Sequence, residues 1–195
     1  MIQTYTVKAW TKSPNSVAEL TNFNDTFTKV AKPALSGIYT IGGSNPDFNT
    51  FTDAIDAMKS GGILDSVLFK VRNGTYSEHL EIPSIIGANT PNSICFESEN
   101  KDSSLVILSY LTSYSFYEVI HIDGASNVSF KHITIKSLNT SSPSRAVTID
   151  NGASQIQFSN NKFESSNISS TSTYYDALVY LDYQETKLSF TNNHF

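Results

Sequence analysis

The sequence predicts an all-β solenoid: a parallel β-helix preceded by one short N-terminal capping α-helix. Three observations predict it. Two separate apolar columns recur through the C-terminal half with nearly one period, the units between them read only as strands and turns, and a single amphipathic helix stands just before them.

The elements follow in order. Thr4-Tyr5-Thr6-Val7-Lys8-Ala9-Trp10 alternates as a half-buried strand, Ser13-Pro14-Asn15-Ser16 turns, and Asn24 to Val30 returns as a second strand. Two strands cannot bury a core alone. This segment resembles the closing strands of bacterial immunoglobulin-like modules in large secreted proteins, which makes residues 1–32 the terminal strands of such a module, or a linker. Residues 33–195 then form the β-helix domain, expected to be truncated at its C-terminus.

Within that domain Phe51, Ala54, Ile55 and Met58 share one face at helical periodicity, Thr50 and Asp53 serve the first turn, and Gly61-Gly62 stops the helix. Strands follow at Val67 to Val71, Leu80 to Ile82 and Ser93 to Phe96, with a turn at Asn73-Gly74.

Three later segments align with one another: Val119-Ile120-His121-Ile122-Asp123, Ala146-Val147-Thr148-Ile149-Asp150 and Leu178-Val179-Tyr180-Leu181-Asp182. Their aspartates lie 27 and 32 residues apart. Each is followed by an apolar pair, Val128/Phe130, Ile156/Phe158 and Leu188/Phe190, whose phenylalanines are spaced by 28 and 32. A period of this size built only from strands and turns is that of a β-solenoid, in which equivalent residues stack along the axis. His132, Asn160 and Asn192 fall two residues after these phenylalanines and form a polar turn column, where Asn tolerates a left-handed backbone and stacked amides can bond along the axis. Ile135, Phe163 and Phe195 supply an inward column on the third strand.

From about Gly37 to Phe195 the chain resembles the pectin-lyase-like superfamily of right-handed parallel β-helices, asparagine ladder included. The helix, the strand Val67 to Val71 and the stretch Gly74-Thr75-Tyr76-Ser77-Glu78 are similar to the start of pectin methylesterases. There a helix caps the open apolar end of the solenoid, and a Gly-x-Tyr-x-Glu stretch follows the first strand. Solenoids need such caps.

Composition narrows the partners. Only 16% of the 195 residues are charged, while Ser, Thr and Asn abound, as in extracellular β-proteins. A net charge of -5 with scattered lysines and arginines gives no basic stripe, so nucleic acid is excluded as a partner. No segment approaches the roughly 20 apolar residues of a membrane span, so membrane insertion is not expected. Met1 is not followed by a signal-like segment, which places any export signal of a secreted or cell-surface parent upstream. The single cysteine, Cys95, allows no intramolecular disulfide and no Cys-rich metal site, and its strand-like context reads as structural.

Alternation in the aligned strands sends Ile120/Ile122, Val147/Ile149 and Val179/Leu181 inward. It sends His121, Asp123, Thr148, Asp150, Tyr180 and Asp182 outward onto one face. In the superfamily the comparable face often forms the polysaccharide groove, so these six are the candidate binding residues. Stacked carboxylates can share a proton, bind Ca²⁺ or flank a glycosidic bond. Against that, each Asp ends a strand where Asp commonly serves its own turn. His79, His121, His132 and His194 show no paired ligand spacing. Tyr174, Tyr175, Tyr180 and Tyr183 offer ring faces for sugars.

No catalytic residue, resident cofactor or metal is assigned. The paired glutamines, the second aspartate in a Phe-Ile-Phe context and the Arg-Pro-Trp that the esterase resemblance implies are missing. Arg145, the one arginine besides Arg72, sits in a Ser/Pro stretch. The sequence therefore favours a non-catalytic β-helix module of a secreted or cell-surface protein, structural or adhesive, contacting a polysaccharide or cell-surface glycan and the neighbouring domains of a longer chain. The competing reading is the N-terminal part of a polysaccharide-active enzyme, a lyase, esterase or hydrolase.

Overall fold

The computed structural model describes residues 5–10, 26–140, 143–165, 176–182, 184 and 186–195. The turn expected at Ser13 to Ser16 and the rings of Tyr174, Tyr175 and Tyr183 lie outside these residues. Strand β1 (Tyr5–Trp10) pairs antiparallel with β2 (Thr26–Ala31), from Tyr5↔Ala31 to Trp10↔Thr26. This ribbon leaves Tyr5, Val7, Trp10, Phe27 and Val30 exposed.

The rest is a parallel β-helix of about five turns. After β3 (Leu35–Ile41) and α1 (Phe51–Gly61), the first coil holds β4 (Ile63–Val71), β5 (Gly74–Ser77) and β6 (Leu80–Pro83). The second holds β7 (Ile94–Ser98), β8 (Val106–Tyr110) and β9 (Glu118–Asp123). The third holds β10 (Val128–Lys131), β11 (Thr134–Ser137) and β12 (Arg145–Asp150). The fourth holds β13 (Gln157–Ser159), β14 (Lys162–Ser165) and β15 (Val179–Leu181), and β16 (Ser189–Thr191) opens the fifth. Stacking yields three parallel sheets, ordered β3-β4-β7-β10-β13-β16, β5-β8-β11-β14 and β6-β9-β12-β15.

The repeat columns hold in register. Ile122 pairs with Ile149 and Ile149 with Leu181; the first two are fully buried, while Leu181, on the edge strand β15, is exposed. Phe69, Phe96, Phe130, Phe158 and Phe190 stack nearly parallel, with ring centroids 4.8, 5.0, 5.4 and 5.2 Å apart. In the second sheet Ile135 of β11 pairs with Phe163 of β14, whose ring stacks on Phe195 at 5.0 Å.

The capping helix spans Phe51–Gly61 and buries Phe51, Ala54, Ile55, Ala57 and Met58. Thr50 Oγ1 accepts from Asp53 N–H at 3.0 Å. The Gly-x-Tyr-x-Glu stretch fastens this helix to the first coil. Glu78 accepts from the N–H groups of Phe51 and Thr52 at 3.2 and 2.8 Å and from the Thr52 hydroxyl at 2.6 Å, placing a carboxylate at the helix N-terminus where the macrodipole favours it. The Tyr76 hydroxyl donates to the Arg72 carbonyl at 2.8 Å and lies 3.2 Å from that of Ile41. Gly42, at φ +73, is the close approach that this requires, since a Cβ there would fall 2.0 Å from the Tyr76 oxygen.

The polar column divides its work between adjacent residues. His132, Asn160 and Asn192 adopt φ near +55 (56, 56 and 53), the left-handed bend expected of them. The hydrogen-bonded asparagine ladder, expected on those residues, instead runs one position on. Asn161 Oδ1 accepts from Ile133 N–H and its amide donates to the Phe130 carbonyl, at 2.9 and 2.8 Å. Asn193 repeats both bonds, to Asn161 N–H and the Phe158 carbonyl, at 2.9 Å each. The reason is geometric: the bend turns the following side chain back toward the coil, where backbone groups at the corner need partners, while Asn160 and Asn192 point to solvent.

Candidate functional site

The third sheet presents its outward side chains in rows across the coils. Glu81, His121, Thr148 and Tyr180 occupy one register row, and Asp123 pairs with Asp150 in the next. Five of the six candidate residues, His121, Thr148, Asp150, Tyr180 and Asp182, line one cleft of about 410 Å³, together with His79, Glu81, Phe116, Tyr117, Glu118 and Arg145. Asp123 stands beside it, paired with Asp150 on the adjacent coil.

His121 Nε2 lies 2.9 Å from Asp150 Oδ1 on the adjacent coil. A carboxylate only accepts, so the imidazole carries its proton on Nε2 in this pair. The Asp150 side chain therefore serves the neighbouring coil, while its backbone carbonyl closes the turn by accepting from Ala153 N–H at 3.1 Å. Asp123 Oδ1 accepts from the Asn151 amide at 2.6 Å.

Deeper in the cleft lies a network that sequence reasoning missed. His79 Nε2 sits 3.3 Å from Glu118 Oε1, the Thr148 hydroxyl donates to Glu118 Oε2 at 2.8 Å, and Arg145 Nη1 donates to Thr148 Oγ1 at 3.3 Å. Glu118, Thr148 and Arg145 are all buried. Burial pushes the Glu118 carboxyl upward, but hydrogen bonds from His79 and Thr148, with the charges of His121 and His79, outweigh it and hold the group below its ordinary range. The Arg145 guanidinium lies 4.0 Å from the Tyr180 ring centroid and 5.3 Å from that of Tyr117.

Arg145, expected in a Ser/Pro loop, is instead the first residue of β12 and lines the cleft. Counted back from Ile120/Ile122 and Val147/Ile149, Glu118 and Arg145 fall on the inward side of their strands. However, Ala146 and Val147 N–H share the Leu178 carbonyl, at 3.1 and 3.0 Å. Two donors on one acceptor is the bond pattern of a bulge, which interrupts alternation and re-aims side chains. The only sequence signal was a charged residue at an inward position of two aligned strands.

Among the described residues one group has metal-ligand spacing. His121, Asp123 and Asp150 each offer an atom, all within 4.8 Å of one another. Calcium takes roughly six to eight oxygen ligands, whereas this trio supplies two carboxylates and an imidazole, closer to the donors of a zinc-type ion. On β7, in a different sheet, Cys95 is half-buried; burial raises its thiol above the ordinary range, which keeps it protonated and slow to react.

These features define a parallel β-helix with a pectin-lyase-like fold. Solved structures agree. The chain is similar to the pectin methylesterase of Aspergillus niger in its penultimately deglycosylated and deglycosylated forms, at 18% and 19% identity and TM-score 0.60 for each, over 82% of this chain and 50% of that one. It is also similar to the pectin methylesterase PemA of Erwinia chrysanthemi, at 14% identity and TM-score 0.53, over 76% of this chain and 46% of the enzyme. Identities this low carry the fold and nothing finer, and the chain spans about half the length of these enzymes. No protein-family model and no curated protein matches it.

Proposed function

We propose that this β-helix engages a polysaccharide along the face formed by β6, β9, β12 and β15, as the glycan-contacting part of a secreted or cell-surface protein. One observation carries the reading. The periodic rows converge on a single cleft that combines ring faces (Tyr180, Tyr117, Phe116) with acceptors and donors (Glu81, His121, Asp150, Asp182). Sugar recognition needs that combination, with apolar C–H faces lying on rings and hydroxyls meeting polar groups. The uncovered apolar ribbon β1–β2 fits a neighbouring module packed at a boundary near residue 32.

A second reading, turnover of the bound polysaccharide, is favoured by His79–Glu118 and His121–Asp150. An imidazole oriented by a carboxylate is the usual proton-transfer group near neutral pH. The esterase neighbours fit this version.

Binding and turnover across a panel of plant and bacterial polysaccharides separates the two. Binding that is lost in Tyr180→Ala, without turnover, supports the adhesive form. Turnover abolished by His121→Ala or Asp150→Asn makes the protein an enzyme. Absence of binding to any polysaccharide overturns the proposal.

A further inference from the structure

Resting on that reading, we infer that the cleft takes a glycan without negative charge, neutral or amino-sugar-bearing, and rejects polyuronates. The lining carries four carboxylates, Glu81, Glu118, Asp150 and Asp182, against one guanidinium and two imidazoles, and those imidazoles, His79 and His121, are already engaged by Glu118 and Asp150. That guanidinium is not presented to a ligand: Arg145 is only 3% exposed, its Nη1 bonds Thr148, and it lies against the Tyr180 ring. Glu81 and Asp182, by contrast, are exposed, and Asp150 is half-buried. Asp123 adds a further carboxylate beside Asp150, on the adjacent coil.

A concave surface lined by one sign of charge concentrates its field in the cleft. A chain of uronates would bring like charges against these groups, with no exposed lysine or arginine among the lining residues to receive them. Hydroxyls and ammonium groups donate to carboxylates, so a neutral or cationic glycan finds acceptors already in place. Discrimination thus comes from repulsion of the wrong ligand as much as from attraction of the right one.

The test measures affinity for three oligosaccharides by calorimetry on the full chain, in EDTA so that no divalent cation bridges carboxylates. The probes are a polygalacturonate oligomer, a cello-oligosaccharide and a partly deacetylated chitin oligomer. At low salt the uncharged or amino-bearing oligomer is expected to bind about tenfold or more tighter than polygalacturonate. Added salt should narrow that gap by screening. Glu81→Gln with Asp182→Asn, both at exposed positions, should raise polygalacturonate affinity on the order of fivefold, as expected for two surface charges. Polygalacturonate binding as tightly as the others overturns this inference alone. If none of the three binds but another polysaccharide does, the charge of that ligand decides: an anionic one overturns the inference and an uncharged or cationic one supports it. Failure of every polysaccharide overturns the proposed function as well.

Discussion

Replacing Phe130 by Ala probes the phenylalanine stack at its centre. The ring is fully buried and stacks on Phe96 at 5.0 Å and on Phe158 at 5.4 Å, with interplanar angles of 14° and 8°. Truncating a buried Phe costs about 3–5 kcal/mol in lost transfer energy and residual cavity. Loss of two stacked partners brings the expected total to about 5 kcal/mol. The rungs above and below are themselves clamped by parallel strands, so little collapse into the cavity is expected. Phe190→Ala should cost distinctly less, because that ring is half-buried and among the described residues stacks only on Phe158. Urea unfolding followed by far-UV circular dichroism measures both. The lone tryptophan, Trp10, lies in the β1–β2 ribbon and should not be used to follow the solenoid. A Phe130→Ala loss below about 1.5 kcal/mol, the size of an ordinary substitution, would refute a core carried by this stack.

Two further predictions concern polar groups. Glu78→Ala removes the three bonds that fasten α1 to the first coil and should lower stability by about 1–2 kcal/mol, with Glu78→Gln losing less; equilibrium unfolding reads both. Glu118 is held below its ordinary range in the fold, so its contribution is present above the unfolded glutamate value, ~4.3, and is lost as pH falls through the lower folded value. Melting temperatures between neutral and acid pH should therefore drop less steeply at the acid end in Glu118→Gln than in the wild type; parallel curves would count against the network.

The solenoid was legible in the sequence because its determinants are periodic and local. Ile122, Ile149 and Leu181 align on apolar alternation alone, and Thr50 with Gly61-Gly62 brackets the helix by capping chemistry. Other features depend on contacts between coils. Asn161 and Asn193 carry the ladder because the bends at Asn160 and Asn192 rotate them toward neighbouring backbone, a consequence no single position announces. A second left-handed column, Asn127, Gln155 and Lys187 at φ 58, 56 and 56, also escaped notice, since Gln and Lys have no preference for that region. At the site, alternation correctly placed His121, Thr148, Asp150 and Tyr180 on one face. Glu118 and Arg145 were missed because alternation counted along their strands puts both on the inward side, and His79 because its partner is 39 residues away.

The four histidines supply the most direct test of the cleft. His79 and His121 line it, while His132, at a left-handed turn, and His194, bridged to Lys162, stand outside it. Side-chain ¹⁵N resonances of all four, followed by NMR through titration with a polysaccharide fragment that binds, should show His79 and His121 shifting together and saturably while His132 and His194 stay in place. Saturable binding that leaves His79 and His121 unmoved, or that moves His132 and His194 instead, would place the glycan elsewhere and contradict the assignment of this face.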